Sequence, residues 1–311
     1  MRPDDFRHVL ILTGPTGSGK SRLALQLAPR LNAEIVAMDS MTLYRGMDVG
    51  TAKPTAQERQ QVPHHLLDVL DPWESASVAW WLERAAACVR AIEGRGRQAL
   101  FVGGTGLYLK AVLHGLFDGP PADETVRRGL EADAEQLGRQ ALHDRLRRVD
   151  PESAARLHPN DLRRVVRALE VHILTGQPIS AWQTQWRTGA DEDGIDADRC
   201  LCLDLPRDEL YRRIDARVEA MIEQGLVEEV RRLRQLERPL SREAGQALGY
   251  KELFAHLDGQ ATLAEAVREI QTRSRNFAKR QLTWFRHLSG CRMASAELTT
   301  ALWKSRMSEG R

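Results

Sequence analysis

The stretch "LILTGPTGSGKSRLALQLA", Leu10 to Ala28, decides how this chain is read. An apolar run stops at Gly14. Pro15, Thr16, Gly17, Ser18 and Gly19 form a turn-rich segment, and Lys20-Ser21 opens a predicted helix. This is the G-x-x-x-x-G-K-[ST] pattern. The backbone N–H groups of such a loop point inward and the helix N-terminus adds positive dipole, so the loop cradles phosphate. Lys20 adds a full charge, and Ser21 offers a hydroxyl to Mg²⁺. The motif predicts a bound diphosphate or triphosphate without saying which.

Around this loop lies a chain of 311 residues, enough for one large or two modest domains. Apolar residues make up 42%, with 45 Lys and Arg against 43 Asp and Glu. That is the composition of a soluble globular protein, and a net charge of +2 is too small to name a partner. No run of about eighteen apolar residues exists, so no membrane association is expected. The start "MRPDDFRHVLILTG" carries Asp4 and Asp5 and does not resemble a signal peptide. Cys88, Cys200, Cys202 and Cys291 have the spacing of neither a zinc site nor a disulfide framework, which favours a reducing cytoplasm. Cys200 and Cys202 are expected to share one face of a buried strand.

Strand and helix alternate at first. "HVLILTG", "AEIVAMDS" and "QALFVGGTG" read as strands; "VAWWLERAAACVRAIEGRG" and "LYLKAVLHG" read as helices. Apolar strands alternating with helices predict an α/β fold, a parallel sheet with both faces covered. At "FDGPPADET" the texture changes, Gly119-Pro120-Pro121 being a hinge signal. From there to about Arg199 only helices are expected. "HPNDLRRVVRALEVHILTGQP" is one, started by Asn160 or Asp161 and ended by Gly176 before Pro178. "ADEDGIDAD" is an acidic return and "RCLCLDLP" a further strand. "RDELYRRIDARVEAMIEQGLVEEVRRLRQL" is helical, with Leu210, Ile214, Val218, Met221 and Ile222 at helical spacing. A last long helix runs from about Thr262 to His287. The predicted organisation is a first core part over 1–119, a helical insertion over 120–199 and a second core part over 200–311.

Two carboxylates close apolar strands, Asp39 in "IVAMD" and Asp204 in "CLCLD". Asp39 falls where open α/β sheets bind ligands. Beside a diphosphate it could hold Mg²⁺, act as a general base, or merely cap a turn.

The motifs "GPTGSGKS", "DSMTLYRGMDVGTAKP", "PHHLLDVLDP", "FVGGTGLYLKA", "HPNDLRRVVRALE" and "AKRQLTWFR" follow one another in that order. In this the sequence resembles the tRNA dimethylallyltransferases, the bacterial-type tRNA isopentenyltransferases, from Leu10 to about Arg286. The resemblance implies a P-loop NTPase-like parallel sheet bearing an all-helical, tRNA-binding insertion. It implies transfer of a prenyl group from dimethylallyl diphosphate to N6 of adenosine 37, beside the anticodon of tRNA, with release of diphosphate. The loop Gly14–Ser21 would then hold a prenyl diphosphate, and Mg²⁺ held through Ser21 would be the cofactor. Partners would be the anticodon stem-loop and the prenyl donor, with the chain a monomer.

Residue by residue, Lys20 would stabilise the departing diphosphate. Thr105 in "GGTGLY" would hydrogen-bond the bridging oxygen, unless it only caps its helix. Asp39 would take the amine proton. Arg217 would reach the diphosphate, unless it is a solvated helix arginine. The target adenine must leave its stack to react. Asp39, Ser40, Met41 and Thr42 would contact it. Gly249, Tyr250 and Lys251 would contact RNA, as would Arg127. Two basic clusters suit the RNA backbone: Arg163, Arg164 and Arg167 with the intervening Val165 and Val166, and the last helix with Arg275, Lys279 and Arg280. Along that helix Arg268, Arg275, Lys279 and Arg286 form one stripe, with Leu263, Val267, Ile270, Phe277 and Trp284 broadly opposite. Its nearest acid is Glu269 alone, so a phosphate-tracking face competes with a solvated one. The chain departs from the family in having Thr42 where glutamine is usual, which removes bidentate reading of adenine from that position. It also has Ala76 where an aromatic is expected.

The alternative reading is a small-molecule or nucleoside kinase on the same scaffold, which leaves the basic helices idle. An RNA-binding protein with a vestigial phosphate loop, and a prenyltransferase acting on free adenine nucleotides, are the other two.

Overall fold

The structure, a computed structural model, describes residues 3–117, 119–183 and 197–309. Its strands are β1 (Leu10–Thr13), β2 (Ala33–Ala37), β3 (His64–His65), β4 (Gln98–Gly103), β5 (Cys200–Leu203) and β6 (Arg292–Ala294). They form one parallel sheet in the order β3-β2-β4-β1-β5-β6. β1, β2 and β5 are buried at every position, as a sheet covered on both faces requires, so they read as apolar runs broken only by Thr13 and by the buried Glu34, which pairs with Arg95, Arg97 and His65. The edge strands β3 and β6 carry no such run. Two or three residues are too few for periodicity to show, and only their neighbours draw them into the sheet.

Helices cover both faces. On one lies α1 (Lys20–Leu27), where Leu23, Ala24 and Leu27 pack with Leu10, Leu12 and Leu100. Trp303 of the C-terminal α15 (Ala296–Glu309) joins that cluster. The short α2 (Ala56–Gln61) carries no buried residue. On the other face, α3 (Val78–Glu93) starts at Ser77, whose hydroxyl accepts from Trp80 N, and ends at Gly94. Its Trp81 stacks on Tyr108 of α4 (Gly106–His114) at 4.3 Å and meets Phe101 edge-on. The indole N–H donates to Ala37 O at 3.2 Å, so the largest buried side chain leaves no donor unmet.

The chain divides into two compact units, Met1–Leu113 with Glu192–Arg311, and His114–Asp191. The second is built from α5 (Glu124–Leu137), α6 (Arg139–Val149), α7 (Pro151–Arg156), α8 (Leu162–Thr175) and α9 (Ile179–Trp182). Leu130, Leu142, Leu146, Val165, Val166 and Leu169 form its core. Asp161 caps α8, and Gly176, at φ +72°, ends it in the left-handed conformation. The acidic return, as far as residue 196, lies outside the described residues.

After β5 come α10 (Arg207–Glu223), α11 (Leu226–Arg234), α12 (Arg242–Gly245), α13 (Tyr250–Leu257) and α14 (Leu263–Arg286). The stretch expected to be one helix is two, because Gly225 takes φ +93° between α10 and α11. The face expected for α14 is also corrected. Its buried line is Ala266, Ile270, Ser274, Ala278, Gln281 and Phe285, at steps of four and three, whereas Phe277 is 39% exposed and Trp284 36%. Small and polar residues hold the core side, so a search for large apolar residues alone misplaces it.

Candidate active site

β1 delivers the chain to the phosphate loop, and Thr13 Oγ1 donates to Gly103 O at 2.8 Å, tying the loop's entry to β4. The loop turns through left-handed glycines, Gly17 at φ +81° and Gly19 at φ +86°. A Cβ on Gly17 would also stand 2.8 Å from Ile214 Cγ1. Ser18 Oγ is buried and has no hydrogen-bond partner among the described residues.

Lys20 Nζ donates to Pro15 O at 3.3 Å. Burial pulls its ammonium down to about 8; the Asp39 charge works against that fall and Arg217 adds to it. Arg217 Nη1 donates to Thr16 Oγ1 at 3.2 Å. Burial lowers the Arg217 guanidinium too, again opposed by Asp39. Two cations and one carboxylate thus share the loop's surroundings, and Arg217 is not a solvated helix arginine. A cavity of about 930 Å³ is lined by Gly17, Lys20, Ser21, Arg45, Lys53 and Arg217 among others. Asp39 and Thr105 are not among its walls; Lys20 lines it and also feels Asp39.

Asp39 follows β2 and Thr105 follows β4, neighbouring parallel strands, so both emerge at the same end of the sheet as the phosphate loop. Asp39 Oδ1 accepts from Met41 N at 2.8 Å, closing a tight turn, and Oδ2 has no hydrogen bond among the described residues. Thr105 Oγ1 accepts from Ser40 N at 3.0 Å, while Thr105 O accepts from Leu109 N as α4 begins. The Thr42 hydroxyl donates to Asp39 O at 3.3 Å and its side chain is nearly buried. Its short side chain is used up inside the turn. Ala76 precedes the α3 cap, and nothing in the structure explains its departure.

Sequence reasoning missed three side chains here. Gln281 accepts from Thr16 N at 2.9 Å and donates to Gly104 O at 2.8 Å. Glu229, fully buried, accepts from the backbone N–H groups of Asp48 and Val49 at 2.8 Å and of Gly50 at 3.1 Å. Lys53 donates to Tyr44 O, to Asp48 Oδ1 and to Asp68 Oδ1. Three acceptors on one ammonium, and four donors on the Glu229 carboxylate once Tyr250 is counted, are what offsets the cost of burying each charge. A polar residue at a core position of an amphipathic helix, as with Gln281 and Glu229, was the available signal.

The fourth donor to Glu229 is the Tyr250 hydroxyl, at 2.6 Å. Tyr250 is 0% exposed, and a Cβ on Gly50 would meet its ring at 2.5 Å. Its ring is the packing floor of the 47–50 loop, with no face open to RNA in this structure. Gly249, at φ +94°, donates its N–H to Glu252 Oε2 at 2.7 Å, while Lys251 is exposed. On α14, Lys279 and Arg280 are exposed, with Arg280 lying over the Phe277 ring. Arg275 is half-buried and bonded to Asp215 at 2.5 Å. Arg273 pairs with Glu252, and Arg286 with Asp204. Acids from another helix and from the end of β5 therefore compensate Arg275 and Arg286 of the expected stripe, while Lys279 stays exposed.

In the helical unit, Val165 and Val166 are buried in the core, so neither side chain is available to RNA. Arg127 and Arg167 both bind the buried Glu170 carboxylate, at 2.9 and 2.6 Å, and Arg167 also donates to Pro120 O. Burial pushes that carboxyl up, but bonds from Arg167, the Asp123 N–H and Arg127 outweigh it and hold Glu170 below its ordinary value. Arg164 pairs with Asp161; Arg163 is exposed.

Known proteins resemble the chain in sequence and fold. The family pattern described as "IPP transferase" matches residues 42–288, and "Isopentenyl transferase" matches residues 7–69. A tRNA dimethylallyltransferase of Geobacter metallireducens is 49% identical over 92% of each chain. The chain belongs to the IPP transferase family of tRNA dimethylallyltransferases. The full-length tRNA isopentenylpyrophosphate transferase of Bacillus halodurans superposes with a TM-score of 0.68 at 40% identity, covering 97% of both chains. A eukaryotic dimethylallyltransferase solved acting on tRNA gives 0.73 at 27% identity, covering 97% of this chain and 76% of that one. The parallel sheet with its flanking helices is thus the P-loop NTPase-like fold of the tRNA prenyltransferases. Membership of the tRNA dimethylallyltransferases makes the protein an enzyme and does not favour the kinase alternative. Among the described residues no helix is long and apolar enough to cross a membrane.

Proposed function

We propose that the enzyme transfers the dimethylallyl group of dimethylallyl diphosphate to N6 of adenosine 37 in the anticodon stem-loop of tRNA, acting as a monomer with Mg²⁺. The observation that carries this reading is Asp39 emerging beside the phosphate loop at the same end of the sheet, within electrostatic reach of Lys20 and Arg217, in a chain of the tRNA dimethylallyltransferase family. A kinase and a prenyltransferase both need the cations. Each also needs a carboxylate base, for an acceptor hydroxyl in a kinase and here for an aromatic amine whose lone pair is delocalised, so family membership is what separates the two readings.

In this reading the loop amides, Lys20 and Arg217 hold the diphosphate and stabilise the charge that grows as the C1–O bond breaks. The Thr105 hydroxyl accepts from Ser40 N, which leaves its own proton to donate to the bridging oxygen. Asp39 Oδ1 is occupied by Met41 N, which leaves Oδ2 to take the N6 proton as the N6–C1 bond forms. Backbone groups of the Asp39–Thr42 turn are left to read the base. Lys279, Arg280, Lys251 and Arg163 are among the exposed cations available to RNA phosphates.

Among the described residues no three His, Cys, Asp or Glu side chains converge to hold a metal. A Mg²⁺ ion would take its oxygens from Ser21, which lines the cavity beside Lys20, and from substrate and water, a donor set that suits this ion. When bound it would neutralise part of the diphosphate charge.

The test is mass analysis of an adenosine-37 tRNA incubated with dimethylallyl diphosphate and the protein. A gain of one prenyl group at that nucleotide is expected. Consumption of ATP with the tRNA mass unchanged, or prenylation of AMP in preference to the stem-loop, sinks the proposal.

A further inference from the structure

Gln281 is the one side chain of α14 bonded directly to the phosphate loop among the described residues. It is nearly buried, and both ends of its amide are used. Its carbonyl oxygen accepts from Thr16 N, and its NH₂ donates to Gly104 O. Only this orientation works, because Thr16 offers a donor and Gly104 an acceptor. Thr16 is gripped a second time by Arg217 through its hydroxyl. Gly104 immediately precedes Thr105, whose hydroxyl holds Ser40 beside Asp39. Gln281 therefore spans the gap between the phosphate loop and the turn that carries Thr105.

The fit is tight. A Cβ on Gly104 would stand 2.6 Å from Gln281 Nε2, closer than real Cβ contacts come, and a tight 3.2 Å from Gly14 O. So glycine at 104 is what lets the amide seat. Because the Thr16 N–H is committed to Gln281, it is withdrawn from the set of amides free to face an anion.

We propose that Gln281 is a positioning residue for prenyl transfer: it sets the separation between the diphosphate cradle and Thr105, and with it the alignment of leaving group and base. The proposal rests on the reading of the loop as the diphosphate site. An error of an ångström in such alignment costs up to about a hundredfold in rate.

The test uses the full chain with Gln281→Leu, Gln281→Glu, Gln281→Asn and Gly104→Ala. Leu keeps the volume and loses both bonds. Glu keeps the acceptor for Thr16 N and loses the donor to Gly104 O. Gly104→Ala keeps Gln281 and fills its seat, so it reads the same gap should Leu fail to fold. Three quantities are measured: single-turnover prenyl transfer at saturating substrates, inorganic pyrophosphate affinity, and tRNA affinity. Expected is a fall in rate of about tenfold or more in every variant, a weakening of pyrophosphate of similar size, and tRNA affinity within about threefold. A rate within twofold of wild type in Gln281→Leu or Gln281→Asn overturns the proposal. So does a rate loss matched by an equal loss of tRNA affinity, the mark of general disruption. If the wild type binds pyrophosphate but prenylates nothing, the proposed function falls instead. Gln281 is then judged on pyrophosphate affinity, where an unchanged value in the variants overturns it.

Discussion

Asp39 performs two tasks, one on each carboxylate oxygen: Oδ1 builds the turn and Oδ2 is left for chemistry. Asp39→Ala and Thr105→Ala are therefore expected to lower the single-turnover rate by about a hundredfold or more while changing tRNA affinity little. Equal loss in a binding assay would remove both from the reaction. Lys20 gives a pH test with a definite sign. Its ammonium sits at about 8 where an ordinary lysine sits at 10.5, so the charged form that binds an anion is lost as pH rises through 8. Pyrophosphate affinity should fall about tenfold per pH unit above 8 relative to Lys20→Arg, whose guanidinium stays charged. Calorimetric titrations giving parallel profiles for the two proteins would contradict the burial assigned to Lys20. Lys20 and Ser21 were legible in the sequence because the loop that uses them is local. The partners of Asp39 and Arg217 were legible only through resemblance, because contact between residues far apart in the chain leaves no periodic trace.

At the scale of elements, the segment after β2 is held from outside itself. Glu229 on α11 collects its backbone N–H groups, Tyr250 on α13 fills the space under Gly50, and Lys53 closes the other side. Burial and the Glu229 charge both push the Tyr250 phenol up, so it stays a donor at any working pH. Tyr250→Phe removes one bond to a carboxylate and is expected to cost about 2 kcal/mol of stability in denaturant unfolding, with tRNA affinity unchanged. A large loss of affinity without loss of stability would restore Tyr250 as an RNA contact. Lys279→Ala should do the reverse, leaving stability alone and reducing the slope of log affinity against log salt by about one phosphate contact. An identical slope would remove Lys279 from the RNA surface. Existence and type were legible for α3, α8 and α14, whose caps and spacing are strong. The rotation of α14 was not, since Ser274, Ala278 and Gln281 occupy core positions that hydrophobicity alone does not mark.

For the whole molecule, the chain leaves its sheet after α4, builds a separate helical core and returns to β5. That unit buries two carboxylates, Asp150 and Glu170, and Arg127 and Arg167 lie upon the second. Arg167→Ala is expected to lower the stability of the unit by about 2 kcal/mol and to shift the tRNA salt slope less than Lys279→Ala does. Because Glu170 is held below its ordinary carboxyl value, the stability it contributes is complete above about pH 4.5 and is lost as pH falls below that. Thermal unfolding of Glu170→Gln against wild type at pH 7 and pH 3 checks the sign: the gap should close in acid. The sequence alone determined the buried parallel strands, the phosphate loop, the helical insertion and the order of motifs, because each is written in neighbouring residues or in a short period. Which arginines are free for RNA, which polar residues seat in the core, and how Gln281 ties α14 to the loop were decided only by tertiary structure. Those outcomes depend on pairing between distant segments, where a charge or an amide finds the partner that burial demands.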